Sequence, residues 1–253
     1  MQENNIEIVD IKFQTPIPNV KACFTTRRGG FSKAPYDGLN LAEHVNDDFA
    51  TVEKNRELLR NSLEGKPVIS WMNQTHSTDV AVLNSTDDAL DITDADAQIT
   101  SVKNVALAVM TADCLPILLV DDKGTKIACV HAGWRGLSGG IIAETVEAMD
   151  LPSDSINAWL GPCISQDNFE VGDLVRTEFV EQNPEYSIYF LPSGRFDNKY
   201  YASLQDVARF QLNKLGIKKI TKDTSCTFND KERFYSYRRD YITGRFASLI
   251  WIE

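Results

Sequence analysis

The sequence has few of the residues and signatures that several familiar protein classes require. Its 253 residues include three histidines, and its five cysteines contain no CxxC pair. A blue-copper centre together with a copper cluster needs more imidazoles than three, which excludes a multicopper laccase of the usual kind. The zinc deaminase signature, HxE followed by PCxxC, is also missing, because the one Pro-Cys pair continues into Ile164 and Ser165.

Positive charge and long apolar runs are scarce as well. The formal net charge is −10, which argues against nucleic-acid and anionic-membrane partners, since both need a basic surface. The apolar runs fall short of a membrane span, and the first residues have neither the basic nor the apolar region of a signal peptide. Together with an odd number of widely spaced cysteines, this predicts a cytoplasmic protein with reduced thiols. Phosphate loops of the GxGxxG and GxxxxGK[ST] types are absent.

What remains is an ordinary globular composition, with 43% hydrophobic and 25% charged residues and no repeat or linker. Short apolar runs predict strands at Val68–Trp71, Val80–Leu83, Val105–Met110, Ile117–Val120, Ile127–Val130 and Leu249–Ile252. Amphipathic patterns predict helices at Thr51–Leu63, Ser138–Met149, Val171–Gln182 and Ser203–Leu215. Because strict βαβ alternation is missing, this order favours an α/β (α+β) fold of mixed sheets with helices on the outside.

Three potential metal ligands lie where predicted strands end. His76 lies in NQTHSTDV, Cys114 follows the strand VALAVM in MTADCLP, and His131 ends the strand KIACVH and opens the glycine turn AGWRGL. Taken one at a time, each is more typical of a structural residue. Their shared position at strand–turn junctions, where scaffolds often place functional groups, favours one common site.

A metal is one interpretation of that site. Imidazole and thiolate suit zinc, and three protein ligands leave a fourth position for water or substrate, as in catalytic zinc sites. Cys129 is an alternative ligand, because it lies two residues before His131 and therefore on the same face of a strand.

A metal-free interpretation uses the same residues and stays open at this point. Cys114 would be the nucleophile of a cysteine hydrolase, and His76 or His131 would be its base. Asp113 or Asp96 would then orient the imidazole. The spacing of these residues along the chain does not separate the two interpretations.

Arginines are clustered despite the acidic total. Arg135 shares the glycine turn of His131, where its guanidinium would hold a phosphate or carboxylate through two parallel hydrogen bonds. Other arginines precede glycines or crowd the C-terminal segment, and pairing with nearby acids is the simpler interpretation for most of them: Arg27, Arg28, Arg233, Arg238, Arg239 and Arg245.

Many ordered motifs along nearly the whole chain resemble the YfiH/YlmD family, also called the multicopper polyphenol oxidase or laccase-domain family. They are FTTRRGG (24–30), PYDGLNLAEHVND (35–47), NQTHSTDV (73–80), DADAQIT (94–100), TADCLPILL (111–119), VHAGWRGL (130–137), WLGPCIS (159–165), FEVG (169–172), CTF and the C-terminal FYSYRRDYITGRFASLIW. The resemblance implies one domain over residues 1–253 with a four-layer α/β/β/α fold. It also implies that His76, Cys114 and His131 are the metal ligands.

The resemblance implies a purine nucleoside enzyme that phosphorolyses adenosine, inosine and methylthioadenosine and deaminates adenosine. Such an enzyme needs an anion site, for which Arg135, His44 and Arg238 are the candidate substrate-binding residues. We predict Zn²⁺ as the cofactor, with Cu²⁺ as its alternative, and the three ligands as catalytic residues. Asp113 is the candidate general base. The expected partners are nucleoside and phosphate, and the expected state is a monomer or weak homo-oligomer.

Three alternatives to phosphorolysis accompany this prediction. A copper-loaded protein would oxidise phenols, because copper outcompetes zinc for such ligands. An amide hydrolase would edit peptidoglycan precursors, with Cys114 as nucleophile or a zinc-bound water as attacker. A nonenzymatic metal-binding scaffold would keep the same site for stability.

Overall fold

The computed structural model describes residues 5–194 and 196–253. The strands are β1 (Ile8–Asp10), β2 (Val20–Thr25), β3 (Val68–Ser70), β4 (Met72–Asn73), β5 (Val80–Leu83), β6 (Thr93–Asp94), β7 (Ala97–Thr100), β8 (Val105–Thr111), β9 (Leu115–Asp121), β10 (Ile127–Ala132), β11 (Ile156–Leu160), β12 (Glu170–Gly172), β13 (Phe190–Pro192), β14 (Lys199–Ala202), β15 (Lys219–Lys222) and β16 (Phe246–Ile252). The helices are α1 (Phe49–Ser62), α2 (Trp134–Gly139), α3 (Ile141–Met149), α4 (Asp173–Val180), α5 (Leu204–Lys214) and α6 (Tyr237–Asp240).

Two large mixed sheets form the centre of the described chain. One has the strand order β1-β2-β16-β8-β3 and the other has the order β15-β11-β9-β10-β7-β5. Most neighbouring strands are antiparallel, whereas the β3–β8, β5–β7 and β11–β15 pairs are parallel. Strands β8 and β9 are buried along their whole length, as expected for continuous apolar runs in a sheet covered on both faces.

Three apolar clusters arrange the elements in layers. Between the two sheets, Phe24 and Val109 pack in one cluster with Leu118. On the outer face of the five-stranded sheet, Leu59 of α1 belongs to the cluster that contains strands β8 and β16. Helices α3 and α5 pack on the outer face of the six-stranded sheet. The layers therefore follow the order α/β/β/α, which confirms the predicted fold class; the single domain over residues 1–253 stays a prediction.

The predicted strands all exist, with ends shifted by a few residues, and two predicted helices need correction. The pattern over Ser138–Met149 is interrupted at Gly140, whose φ of 95° ends α2 and starts α3. Helix α2 begins at Trp134, so the predicted glycine turn after His131 is a helical turn. The Val171–Gln182 pattern begins as strand β12 and becomes helix α4 at Asp173.

Helix α1 shows how local sequence sets the bounds of an element. Asp48 caps its N-terminus, since the Asp48 carboxylate accepts a hydrogen bond from the Thr51 amide at 2.8 Å. Val52 and Leu59 are buried on the face that packs against the five-stranded sheet. Among the helices of residues 5–194 and 196–253, none is long and apolar enough to cross a membrane.

Candidate active site

Strand register brings the three predicted ligands together. Strands β9 and β10 pair with Pro116 opposite His131, so the bend that holds Cys114 lies beside the end of β10. Strand β7 pairs with β10 on its other side, and the His131 amide donates to the Asp96 carbonyl at 2.7 Å. Because β5 runs parallel to β7, the loop before β5, which contains His76, reaches the same edge.

The donor atoms of His76, Cys114 and His131 all lie within 4.8 Å of one another. Cys114 Sγ is 3.9 Å from His76 Nε2, and the two imidazole rings stand nearly perpendicular with centroids 4.7 Å apart. His131 is buried, Cys114 is half-buried and His76 is exposed. The group is therefore closed towards the core and open towards solvent, as a site with one free coordination position requires.

Asp96 fixes two of these ligands. Its carboxylate is fully buried and lies 2.7 Å from His131 Nδ1, which leaves Nε2 as the ring nitrogen available to a metal. The same carboxylate accepts hydrogen bonds from the backbone amides of the loop residues Thr75, His76 and Ser77. His76 has a φ of 62°, and these bonds hold it in that uncommon conformation.

The same contacts set the charge of the donor group. Burial raises the pKa of Asp96, but its hydrogen bonds with His131 and Ser77 outweigh burial and lower the pKa to about 2. Burial also opposes ionisation of Cys114, yet the imidazoles of His131 and His76 lower its pKa to about 6. The thiolate form that ligates metals is thus favoured at neutral pH.

Gly133 leaves room for the ligands. It precedes helix α2, and a Cβ atom built there would lie 3.0 Å from His76 Cδ2 and 3.2 Å from Cys114 Sγ. Any side chain at this position would press on two donor residues. Glycine at this position therefore avoids crowding the donor group.

The donor group opens into a cavity of about 390 Å³. Its lining includes the two predicted substrate-binding residues His44 and Arg238. The other lining residues are His76, Cys114, His131, Gln74, Met110, Thr111, Ala112, Asp113, Ile164, Phe169, Tyr237 and Arg245. This volume falls within the usual range for small-molecule sites.

Arg135 lies elsewhere and needs correction as a substrate-binding residue. Its side chain is exposed on helix α2 and stacks on Trp134, with the guanidinium carbon 4.3 Å from the ring centroid. Arg135 is not among the residues that line the cavity. Sequence proximity to His131 was misleading, because the residues of a helical turn point in different directions.

Asp113, the predicted base, braces the loops around the cavity. Its Oδ1 accepts a hydrogen bond from Thr227 at 2.6 Å, and its Oδ2 accepts from Ser236 at 3.0 Å and from the Arg238 amide at 2.6 Å. Its φ of 102° turns the chain sharply before Cys114. These contacts occupy both oxygens and argue for a structural role.

Two cavity residues, Gln74 and Phe169, were not singled out from the sequence, whereas Tyr237 and Arg245 were noted only within clusters of aromatics and arginines. The side-chain amide of Gln74 is hydrogen-bonded to strand β8. Its Nε2 donates to the Met110 carbonyl at 2.8 Å, and its Oε1 accepts from the Met110 amide at 2.8 Å. Phe169 and Tyr237 offer aromatic surface, and Arg245 adds a second guanidinium to the lining. Their presence in the family motifs was the available signal.

Cys129, the alternative ligand, does not join the donor group. It is fully buried in the core between the sheets, and burial raises the pKa of its thiol to about 12. It shares a strand face with His131, but one strand repeat separates the two side chains.

The chain is similar to proteins of known sequence over almost its whole length. Residues 21–253 match the family described as multi-copper polyphenol oxidoreductase laccase. A purine nucleoside phosphorylase of Pseudomonas aeruginosa is 44% identical over 239 residues, which are 94% of this chain and 96% of that protein. The purine nucleoside phosphorylase YfiH of Escherichia coli is 43% identical over 242 residues, covering 94% and 97% of the two chains.

Solved structures share the fold. A Neisseria meningitidis protein superimposes with a TM-score of 0.89 at 42% identity, covering 96% of this chain and 99% of that one. YlmD from Geobacillus stearothermophilus also gives a TM-score of 0.89, at 28% identity, covering 100% and 98%. These similarities confirm the resemblance that the sequence motifs indicated.

Proposed function

The chain belongs to the multi-copper polyphenol oxidoreductase laccase family, and we propose that it is a zinc-dependent purine nucleoside phosphorylase. Its substrates are adenosine, inosine and methylthioadenosine, and adenosine deamination is a second activity. The observation that carries this proposal is the donor group His76, Cys114 and His131, which opens into a cavity of nucleoside-like dimensions. The names of the relatives support the phosphorylase assignment.

The residues present fit a zinc ion. Two imidazoles and a thiolate are ligands that zinc prefers, and the carboxylate of Asp96 behind His131 completes the usual carboxylate–histidine arrangement. When bound, zinc would lower the pKa of a coordinated water and polarise a substrate oxygen, which suits deamination as well as phosphorolysis.

The chain's other cavity residues bind and orient the substrate. Phe169 and Tyr237 line the cavity with aromatic rings on which a planar purine can stack. Gln74 fixes the backbone of Met110 at the cavity wall, so this wall is rigid before substrate arrives. His44 and Arg238 add polar groups to the same cavity.

Turnover of inosine by metal-loaded protein, with and without inorganic phosphate, tests the proposal. Phosphorolysis yields hypoxanthine and ribose 1-phosphate and requires phosphate. Base release that proceeds equally well without phosphate would show a hydrolase instead. Ammonia release from adenosine tests the deaminase activity separately.

Two observations favour second candidates. The lowered pKa of Cys114 beside two imidazoles is the environment of a cysteine nucleophile, which favours an amide hydrolase acting on peptidoglycan precursors. The matched family description favours a copper-loaded phenol oxidase, and the same donor set accepts copper. Reconstitution with zinc or copper, followed by nucleoside, phenol and muropeptide assays, separates the three.

A further inference from the structure

Two arginines outside the cavity show how a largely buried guanidinium is commonly paired with a carboxylate. Arg56 lies 2.6 Å from Glu43, with 12% of its side chain exposed. Arg239 lies 2.8 Å from Asp240, with 18% exposed. These pairs compensate the cost of taking a guanidinium out of water.

The two arginines of the cavity have no such carboxylate partner among the described residues. Arg238 and Arg245 are both partly buried, and neither forms an ion pair within residues 5–194 and 196–253. The cavity's one carboxylate, on Asp113, is occupied by Thr227, Ser236 and a backbone amide. Neither guanidinium therefore has a carboxylate contact in the described chain.

Both guanidiniums are nevertheless held in place. Arg238 Nη1 donates to the Glu170 carbonyl at 2.9 Å, and its guanidinium lies 5.2 Å from the Phe169 ring centroid. Arg245 Nη1 donates to the carbonyls of Thr243 and Gly244, both at 2.9 Å. In each arginine the Nε and Nη2 groups, which form the edge that binds oxyanions in a bidentate manner, have no hydrogen-bond partner in the described chain.

Arg238 and Arg245 line the same cavity as His76, Cys114 and His131. An anion bound by these guanidiniums inside the cavity would therefore share it with the donor group. A pair of fixed, unpaired guanidiniums beside a substrate cavity is the arrangement that phosphate recognition requires.

We infer that Arg238 and Arg245 form the subsite for inorganic phosphate, with Arg245 in the place that the sequence suggested for Arg135. This inference rests on the proposed phosphorolysis. A phosphate oxygen held there forms the new bond to ribose C1′ while the bond from C1′ to the purine nitrogen breaks. The electron pair of that bond leaves with the base, and the proton of hydrogenphosphate ends on the base.

Steady-state kinetics of metal-loaded Arg245→Gln and Arg238→Gln, with inosine and phosphate each varied, test the subsite. We expect the KM for phosphate to rise roughly ten- to hundredfold, because charge-assisted hydrogen bonds are lost, while the KM for inosine stays within about twofold. Arg245→Lys should recover part of the loss, since the charge is kept but the bidentate fork is not. Arg135→Gln is the matched control, an exposed arginine outside the cavity, and should leave both KM values unchanged.

Calorimetric titration of inorganic phosphate into metal-loaded protein without nucleoside gives a readout independent of turnover. Wild type should bind phosphate, and folded Arg245→Gln, checked by thermal unfolding, should bind it roughly ten- to hundredfold more weakly. If wild-type turnover requires phosphate but both glutamine variants keep the wild-type phosphate KM and affinity, the assignment of the phosphate subsite is wrong. The proposed phosphorylase function would then still stand. If wild type releases base without phosphate, the proposed function itself fails.

Discussion

The two sides of the cavity satisfy their polar groups in opposite ways. On the side of the donor group, Asp96 is buried and accepts hydrogen bonds from His131 and from three consecutive backbone amides. In the part of the lining that comes from the C-terminal segment, Arg238 and Arg245 each use Nη1 alone to contact backbone carbonyls. The difference teaches that the donor group is held by contacts within the protein, whereas the two guanidiniums keep hydrogen-bonding edges that are available to the proposed phosphate.

The largest effect should follow from removing a member of the donor group. We expect His131→Ala and Cys114→Ser to lower kcat/KM by roughly a thousandfold or more, because a two-donor site holds the metal poorly. Elemental analysis and nucleoside turnover check this together. Cys226→Ser, which changes another half-buried thiol outside the donor group, is the control and should keep both. Full activity in folded His131→Ala would show that the donor group is not the active site.

Removing the anchor behind the donor group should have the next largest effect. Asp96→Asn keeps the size of the side chain but loses the negative charge that orients His131, so metal affinity or activity should fall about 10- to 100-fold. Competition with a metal chelator measures the affinity. Asp94→Asn, an exposed carboxylate on the same segment, should behave as wild type. Unchanged affinity in Asp96→Asn would mean that the donor group is not held by its hydrogen-bond network.

A smaller effect is expected at Gly133. The new methyl group of Gly133→Ala would lie 3.0 Å from His76 and 3.2 Å from Cys114, and overpacking of this kind costs about 1–3 kcal/mol. We therefore expect metal affinity to fall roughly tenfold while the phosphate KM stays near wild type. Gly172→Ala is a matched control, because Gly172 also precedes a helix but a Cβ there would meet only Lys199 Nζ, at 3.9 Å. If Gly133→Ala instead raised the KM for phosphate and left metal affinity unchanged, Gly133 would belong to the phosphate site and not to the metal site.

The smallest effect is expected on the alkylation rate of Cys114, compared with an ordinary thiol. The pH dependence of this rate nevertheless gives a clear test. In metal-free Cys226→Ser protein the iodoacetamide rate should rise with pH through a midpoint near 6, since thiolate is present above its lowered pKa. At pH 7 the rate should exceed that of an ordinary thiol by only a few-fold, because nucleophilicity falls with pKa. Bound zinc should suppress the reaction. A midpoint near 9, the ordinary value, would remove the evidence for a thiolate ligand and for a cysteine nucleophile.

The sequence placed the three donor residues at strand ends, and antiparallel and parallel pairing bring those ends together; that they bind a metal stays a prediction. It offered Asp96 and Asp113 equally to orient an imidazole and did not choose between them, since the choice depends on β7 pairing with both β5 and β10. Nor did it distinguish Arg135 from Arg245. Arg135 is near His131 in sequence but exposed, whereas Arg245 is far along the chain and reaches the cavity through long-range strand pairing. Gly140 carried a local signal for the helix break, which the amphipathic pattern over Ser138–Met149 concealed.

The most direct test of the central claim combines zinc content with phosphate-dependent inosine cleavage in the same freshly purified protein. The account predicts about one zinc per chain in wild type, hypoxanthine release that requires phosphate, and loss of both in Cys114→Ser. Undiminished phosphorolysis in protein that contains no metal, or in folded Cys114→Ser, would contradict it.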